Sequence, residues 1–366
     1  MKVLMINTVP MEKNGITNVI CNLVTNVNNE NIQIDCVAIN DVDLSYKNIF
    51  KKHGGKIFVI PQRLSKPIAY IKKLVSIIKK NKYDCIHAHG NSHTLALELF
   101  AAKIAGCGFR IAHSHSTSCK YKAINKLLTP LFWLCCTGRI ACSAESGKWM
   151  FGKRKFLIIN NGINTTKFKF DLNKRLNIKN IYSINEDLIV VGHVGEFNNV
   201  KNQSFLVSVF SEILKKKNAV LMMVGKGNQE KAVVEKVESL GIKDNVIFVG
   251  AVDNVSDCLS AFDVIIMPSF FEGFPLTLVE EQASGLSCFV SDCITKETNL
   301  TGNVHFLSLK TSESDWASAV LEGIYEGNRS AISERSIELI AKRGYSIQNE
   351  ICKLENYYIK NFKSIK

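Results

Sequence analysis

Two carboxylates, Glu272 and Glu280, stand with seven residues between them in the stretch Ser269 to Gly285. The apolar run Val264 to Met267 before them reads as a buried strand, and Gly273-Phe274-Pro275 as a turn into a helix beginning near Leu276. Glu272 then falls on a strand-end loop and Glu280 on the second turn of the helix, where both can face one ligand. Ligands of open α/β sheets bind outside the carboxyl ends of the strands, and the free N–H groups of a helix start attract phosphate. Two carboxylates would repel a bare phosphate. They make sense if the ligand also carries sugar hydroxyls, because a vicinal diol donates hydrogen bonds to a carboxylate while the amides hold a diphosphate.

A second concentration of reactive side chains closes two earlier apolar runs. His87 and His89 end one, His113 and His115 end the next, and neighbouring parallel strands would bring all four imidazoles to one sheet edge. Zinc is the metal such a set suggests. Each pair is expected to divide between the two faces of its strand, and no acidic third ligand is evident, so no metal is assigned. The twelve cysteines lie mostly in apolar segments without the spacing of a zinc knuckle or a redox pair, and read as small buried hydrophobes of a reduced protein.

The elements that must position these residues alternate between strand and helix patterns, which implies parallel, doubly wound sheets. Strands are predicted near 2–7, 32–39, 56–60, 84–87, 109–113, 138–142 and 156–159, with helical patterns at 16–27, 67–79 and 94–105 among them. The polar, Lys- and Asn-rich stretch 166–187 has no clear period and reads as a linker. A second alternation follows, with strands near 188–194, 220–224, 246–249, 264–267 and 287–291, the last closing the sheet, and helices near 204–215, 315–325, 331–341 and 347–362. At 366 residues the chain suits two domains. Their expected bounds are 1–165 and 188–346, with a final helix in 347–366 whose apolar stripe is Ile351, Leu354, Tyr358 and Phe362.

The Glu272 to Glu280 stretch resembles the donor-site motif of the family-4 glycosyltransferases, retaining enzymes of the GT-B fold, and the resemblance runs through six ordered motifs over essentially the whole chain. It implies two Rossmann-like domains facing across a cleft, the acceptor on the first and a nucleotide-diphosphate-sugar on the second. Glu272 would contact the transferred sugar and Glu280 the nucleotide ribose, with amides of Gly273, Phe274, Leu276 and Thr277 near sugar and phosphate. His115, with His113 as the alternative, would match the family's histidine over the cleft. After the strand ending at Val194, the family places an Arg just after a glycine and a Lys five residues on, both on the donor diphosphate. Gly195 and Lys201 keep the pattern, while Glu196 stands where the Arg belongs; Lys226, between Gly225 and Gly227, is the nearest cation to offset it. On the acceptor side Gly15 matches the second glycine of the family's first loop, with Asn14 in place of the first, and Asn161-Gly162 forms the turn that ends the first domain.

The activity implied is retaining, metal-independent transfer of a hexosyl or N-acetylhexosaminyl group to a glycan or polyprenyl-linked acceptor in cell-surface polysaccharide biosynthesis, with no cofactor beyond the donor. Two rivals remain open: a nucleotide-sugar-binding member without catalysis, which Glu196 raises, and a sugar-nucleotide epimerase, which would need acid–base carboxylates that the first domain scarcely offers. The single glycine of the first turn argues against a dinucleotide fingerprint. A net charge of +13 asks for an anionic partner. Nucleic acid is set aside for want of a zinc finger, interleaved aromatics or a basic arm. An anionic membrane surface is the candidate, met by Lys72, Lys73, Lys79, Lys80 and Lys82 beside Ile68, Ile71, Leu74, Val75 and Ile78, with more lysines in the tail (Lys360, Lys363, Lys366). No run approaches a spanning length or a signal peptide, so the expected place is the cytoplasm, peripheral to the inner membrane face.

Overall fold

The computed structural model describes residues 1–363 apart from 13, 64 and 326; Lys366 and the side chain of Lys363 lie outside the described residues. The chain forms two compact units, Met1–Gly162 together with the C-terminal helix Ile347–Lys363, and Ile163–Ser346.

The first unit carries the strands β1 (Lys2–Asn7), β2 (Gln33–Ala38), β3 (Ile57–Val59), β4 (Cys85–Gly90), β5 (Phe109–Ser114), β6 (Gly138–Ala141) and β7 (Leu157–Ile158). They pair in parallel in the order β3-β2-β1-β4-β5-β6-β7, so the strand order reverses between β1 and β4. Both faces are covered, which is why the strands read as nearly continuous apolar runs. Leu4 and Ile6 pack with Tyr70, Leu74 and Phe132 on one face, while Val3 and Met5 pack with Ile20 and Leu23 on the other. The C-terminal helix joins that second face through Ile351, Leu354 and Tyr358, and Glu355 Oε1 accepts from the amides of Asn28 and Asn29.

The second unit carries β8 (Ile189–Val194), β9 (Ala219–Val224), β10 (Val246–Gly250), β11 (Val264–Met267), β12 (Ser287–Ser291) and β13 (Val304–Leu307), parallel in the order β10-β9-β8-β11-β12-β13. Its reversal lies between β8 and β11.

Three expectations need correction. The second sheet does not close at β12: β13 pairs beyond it, a four-residue edge strand with only Val304 buried and therefore little pattern to read. The stretch 166–187 is not a bare linker, since it contains the helix Leu172–Ile181. Asp171 caps that helix, and the pairs Arg175–Asp263 (2.7 Å) and Lys174–Asp257 (3.0 Å) pin it to the unit; of its apolar side chains only Ile178 is buried, so hydrophobic spacing had little to reveal. The four histidines do not divide between faces. Residues two apart in a strand share a face, and His89 is in register with His113 across β4 and β5, so all four rise together.

Candidate active site

The reversal between β8 and β11 is where an open sheet leaves room for a ligand, because the connections from the two strands run to opposite faces. Here the loop after β8 and the loop after β11 are tied to each other: Asn202 Nδ2 donates to the Pro268 carbonyl (3.1 Å) and the Phe270 amide to the Val200 carbonyl (2.8 Å). Across this seam Lys201 Nζ stands 2.7 Å from Glu272 Oε1, both side chains largely buried. The helix Leu276–Ala283 starts beside Glu272 with Pro275 at its cap and no side chain capping it. A Cβ at Gly273 would meet nothing within 4 Å, so chain packing does not demand the glycine there. Phe274 is committed to packing, its ring stacked on Tyr345 at 4.7 Å, and Leu276 packs against the same core.

Glu280 and the adjacent Glu281 have different surroundings. Burial pushes the Glu280 carboxyl up to about 7, with the charge of Lys167 pulling the other way. Glu281 is fully buried, neither carboxyl oxygen meets a hydrogen-bond partner, and burial raises it well above the carboxylate range, against the pull of the Lys201 ammonium. Sequence reasoning passed over Glu281; its only signal was a second acid directly after Glu280.

The β8 loop explains its own glycines. Gly225 has φ +143°, and a Cβ there would lie 1.9 Å from the Gly195 carbonyl oxygen; one at Gly227 would lie 2.2 Å from that of Phe197. The Gly225-Lys226-Gly227 turn thus packs directly on Gly195-Glu196-Phe197, and the Phe197 amide donates to the Lys226 carbonyl (3.1 Å). Glu196 turns to solvent and accepts from Asn198 Nδ2 at 3.3 Å. It is not paired with Lys201, whose partner is Glu272. Lys226 is exposed and forms no ion pair among the described residues. Gln203, another residue without a sequence signal, steadies the loop by donating to the Glu196 carbonyl (2.9 Å).

In the first unit a cavity of 480 Å³ opens at the carboxyl ends of β1, β4 and β5, with Thr8, Pro10, Arg63, Ser116, Lys120 and Tyr121 in its wall. Gly15 opens the helix Gly15–Asn26, and Asn14, the departure from the family's first glycine, caps that helix by accepting from the Thr17 amide (3.0 Å). His113 is fully buried and His115 follows β5, its Nε2 3.0 Å from His89 Nδ1. Asn161, after β7, has a buried Oδ1 without a partner. One Asp-x-Asp pair, Asp41-Val42-Asp43, follows β2; Asp43 is engaged as a helix cap, accepting from Ser45 N (2.8 Å) and Oγ (2.6 Å).

Another cavity, of 560 Å³, lies at the amino ends of β11 and β12 beside Asp263 and Ser287. Of its two arginines, Arg175 is paired with Asp263, and Arg329 is spent on the carbonyls of Leu259, Ser260, Phe262 and Ser284 and on the Ser284 hydroxyl, so none of the Arg329 donors is left for a ligand.

Comparison with known proteins bears on the family and the fold. The model of Glycosyltransferase Family 4 matches residues 13–167 and that of Glycosyl transferases group 1 matches residues 188–324. A putative glycosyltransferase, EpsF, of Bacillus subtilis (strain 168) is 29% identical over 365 residues, covering 95% of this chain and 94% of that protein. The UDP-Gal:alpha-D-GlcNAc-diphosphoundecaprenol alpha-1,3-galactosyltransferase of Escherichia coli is 28% identical over 269 residues, 68% of this chain and 67% of that one. Among solved structures, Anabaena Alr3699/HepE in complex with UDP superposes with a TM-score of 0.78 at 16% identity, covering 98% of this chain and 100% of that one, a likeness of fold. One family model on each unit, a relative matched from end to end and two parallel Rossmann-like sheets leave a single reading: the chain belongs to the family-4 glycosyltransferases and has the GT-B fold.

Proposed function

We propose that this glycosyltransferase moves a hexosyl or N-acetylhexosaminyl group from a UDP-sugar to a glycan or polyprenyl-diphosphate-linked acceptor with retention at the anomeric carbon, and that no metal bridges the donor diphosphate. The observation that carries the reading is the Lys201–Glu272 pair at the β8/β11 reversal, beside an uncapped helix start. A diphosphate arriving there takes the Lys201 ammonium and the helix amides, which releases Glu272 to accept from a hydroxyl of the transferred sugar. Glu280 accepts from the ribose diol. As the bond from anomeric carbon to diphosphate oxygen breaks, negative charge grows on the leaving oxygen, and Lys201 with the amides stabilises it, as preorganised donors do wherever charge develops. That cation and those amides do at the diphosphate what a divalent ion does elsewhere.

His115 and the cavity of the first unit would serve the acceptor. The HepE structure with UDP and the galactosyltransferase whose name specifies a diphosphoundecaprenol acceptor support these substrate classes. The exposed apolar residues Ile124, Leu127 and Leu134 on the helix Lys122–Cys135, with Lys120, Lys122 and Lys126, offer a face to an anionic membrane. No helix of the described residues is long and apolar enough to cross one. Incubation with a panel of nucleotide-sugars and polyprenyl-diphosphate-sugar acceptors tests the reading: UDP release that depends on acceptor, insensitivity to EDTA, and an anomeric configuration in the product, read by NMR, equal to that of the donor are expected. Inverted product would overturn the stereochemistry, and loss of activity in EDTA the metal independence.

A further inference from the structure

The imidazoles of the first unit form a set that acceptor binding does not explain. Along the chain the rings of His87 and His89 stack with centroids 4.3 Å apart, and those of His113 and His115 lie tilted at 4.2 Å. Across the strands the centroids are 5.1 Å (His87–His113), 5.0 Å (His89–His113) and 5.2 Å (His89–His115). One nitrogen from each of His87, His89 and His113 lies within 4.8 Å of the others, the only such group of metal-ligating side chains among the described residues. His87 Nε2 is 3.1 Å from His113 Nδ1, and His89 Nδ1 3.0 Å from His115 Nε2. Nitrogens held about 2.0–2.1 Å from a tetrahedral zinc are roughly 3.3 Å from each other. The His87–His113 gap needs to open by a few tenths of an ångström, and the third nitrogen, within 4.8 Å of both, needs to close in, for one ion to be held.

The hydrogen-bond inventory is incomplete without a ligand. The other ring nitrogens of the two histidines that make those contacts through Nδ1, His89 Nε2 and His113 Nε2, are buried and have no partner, a state that buried polar atoms seldom keep. On the outer side the Tyr358 hydroxyl sits 2.6 Å from His87 Nδ1. An oxygen there fixes the ring so that Nε2 faces inward, the role that outer oxygens play for metal-bound histidine.

We propose that His87, His89 and His113 form a binding site for a borderline divalent transition metal ion of the zinc class. An all-imidazole set suits zinc, cobalt, nickel or copper and not magnesium or calcium, which take oxygen. The ion would fasten the carboxyl ends of β4 and β5 together. The site shares no residue with Lys201, Glu272 or Glu280, so it stands apart from the question of a metal at the diphosphate.

Untagged full-length protein, stripped with chelator and dialysed, is titrated with cobalt(II) and then with zinc. One equivalent of cobalt per chain is expected, with the visible ligand-field bands of a four-coordinate, nitrogen-ligated ion, displaced by zinc. His89→Gln and His113→Gln should each weaken uptake at least 10-fold, and His53→Gln, altered at an exposed histidine of the same unit, should leave it unchanged. A rise in the wild-type unfolding temperature with zinc, absent with magnesium, gives a reading that does not depend on the variants folding. No stoichiometric uptake by wild type, or equal uptake by a folded His89→Gln/His113→Gln double variant, overturns the site.

Discussion

Lys201 and Glu272 hold each other at 2.7 Å, so a donor that claims the ammonium must free the carboxylate, and the two residues exchange partners in one event. Glu280 takes no part in that exchange, which separates the two acids experimentally. Glu280→Ala should weaken UDP binding by about 1.5–3 kcal/mol, the worth of charge-assisted hydrogen bonds, while Glu272→Ala should chiefly lower turnover; calorimetry and rate measurements with wild-type values in both would sink the assignment. Glu280 also predicts a pH dependence. Its carboxyl, held up to about 7, must ionise to accept from a diol, so UDP affinity should rise with pH through about 7 and level off above it. Glu280→Gln should flatten that slope. Glu281 makes a stability prediction instead. Its native carboxyl is raised far above the value near 4.3 of the unfolded chain. Below that value both states are protonated and nothing is lost; as pH rises past it only the unfolded state sheds its proton, and stability falls. Glu281→Gln should therefore raise the unfolding temperature at pH 8 and do so less at pH 4, and thermal scans at the two pH values would expose the opposite trend.

At the scale of elements, the β8 loop and the glycine turn after β9 act as one piece. Gly225→Ala drives a Cβ into the Gly195 carbonyl at a positive φ, and should cost at least about 1 kcal/mol and reduce nucleotide binding; a variant as stable and as tight as wild type would refute the packing argument. Glu196 lies on the same loop, turned outward, and Lys201 is already committed to Glu272. Glu196→Arg therefore strands no charged partner, giving up only the exposed Asn198 Nδ2 contact, and adds a guanidinium suited to bidentate phosphate contact. It should tighten UDP and raise transfer, and a loss of affinity on titration would show that the carboxylate has a use. These elements also mark what the sequence could convey. The strand before Glu272 and the helix after it were legible because four consecutive apolar residues, a Gly-Phe-Pro turn and a helical period all agree. The helix Leu172–Ile181 was not, because only Ile178 of its apolar side chains is buried, and β13 was not, because an edge strand buries one side chain. The pairing of Lys201 with Glu272 depends on two strands far apart in sequence becoming neighbours, which no local pattern encodes.

At the scale of the whole molecule the question is where the positive charge goes. The helix Pro67–Asn81 was expected to lay an apolar stripe and its lysines on a membrane, but Leu74, Ile77 and Ile78 are buried in the first unit's core and Ile71 and Val75 pack against it. Only Ile68 of the apolar set is left exposed, so this helix has no apolar stripe free for insertion. The helix Lys122–Cys135 differs: Phe132 and Cys135 anchor it while Leu127 and Leu134 are 77% and 64% exposed. Tyr121 and Ile124, at the start of this helix, also line the cavity at the sheet edge, so the exposed apolar face and the cavity proposed for the acceptor share one element. Each Lys near an anionic surface is worth about 1 kcal/mol, and buried leucine about 1.5–3 kcal/mol, which makes the two kinds of residue comparable contributors. Flotation with anionic vesicles at low salt should recover the protein, and neutral vesicles should recover much less. Leu127→Ser/Leu134→Ser, at positions the fold leaves in solvent, should reduce binding without lowering the unfolding temperature, whereas Lys72→Gln/Lys73→Gln should act only through the salt dependence. Undiminished flotation of the leucine variant would remove this helix from the membrane contact, and equal recovery on neutral and anionic vesicles would remove the electrostatic part.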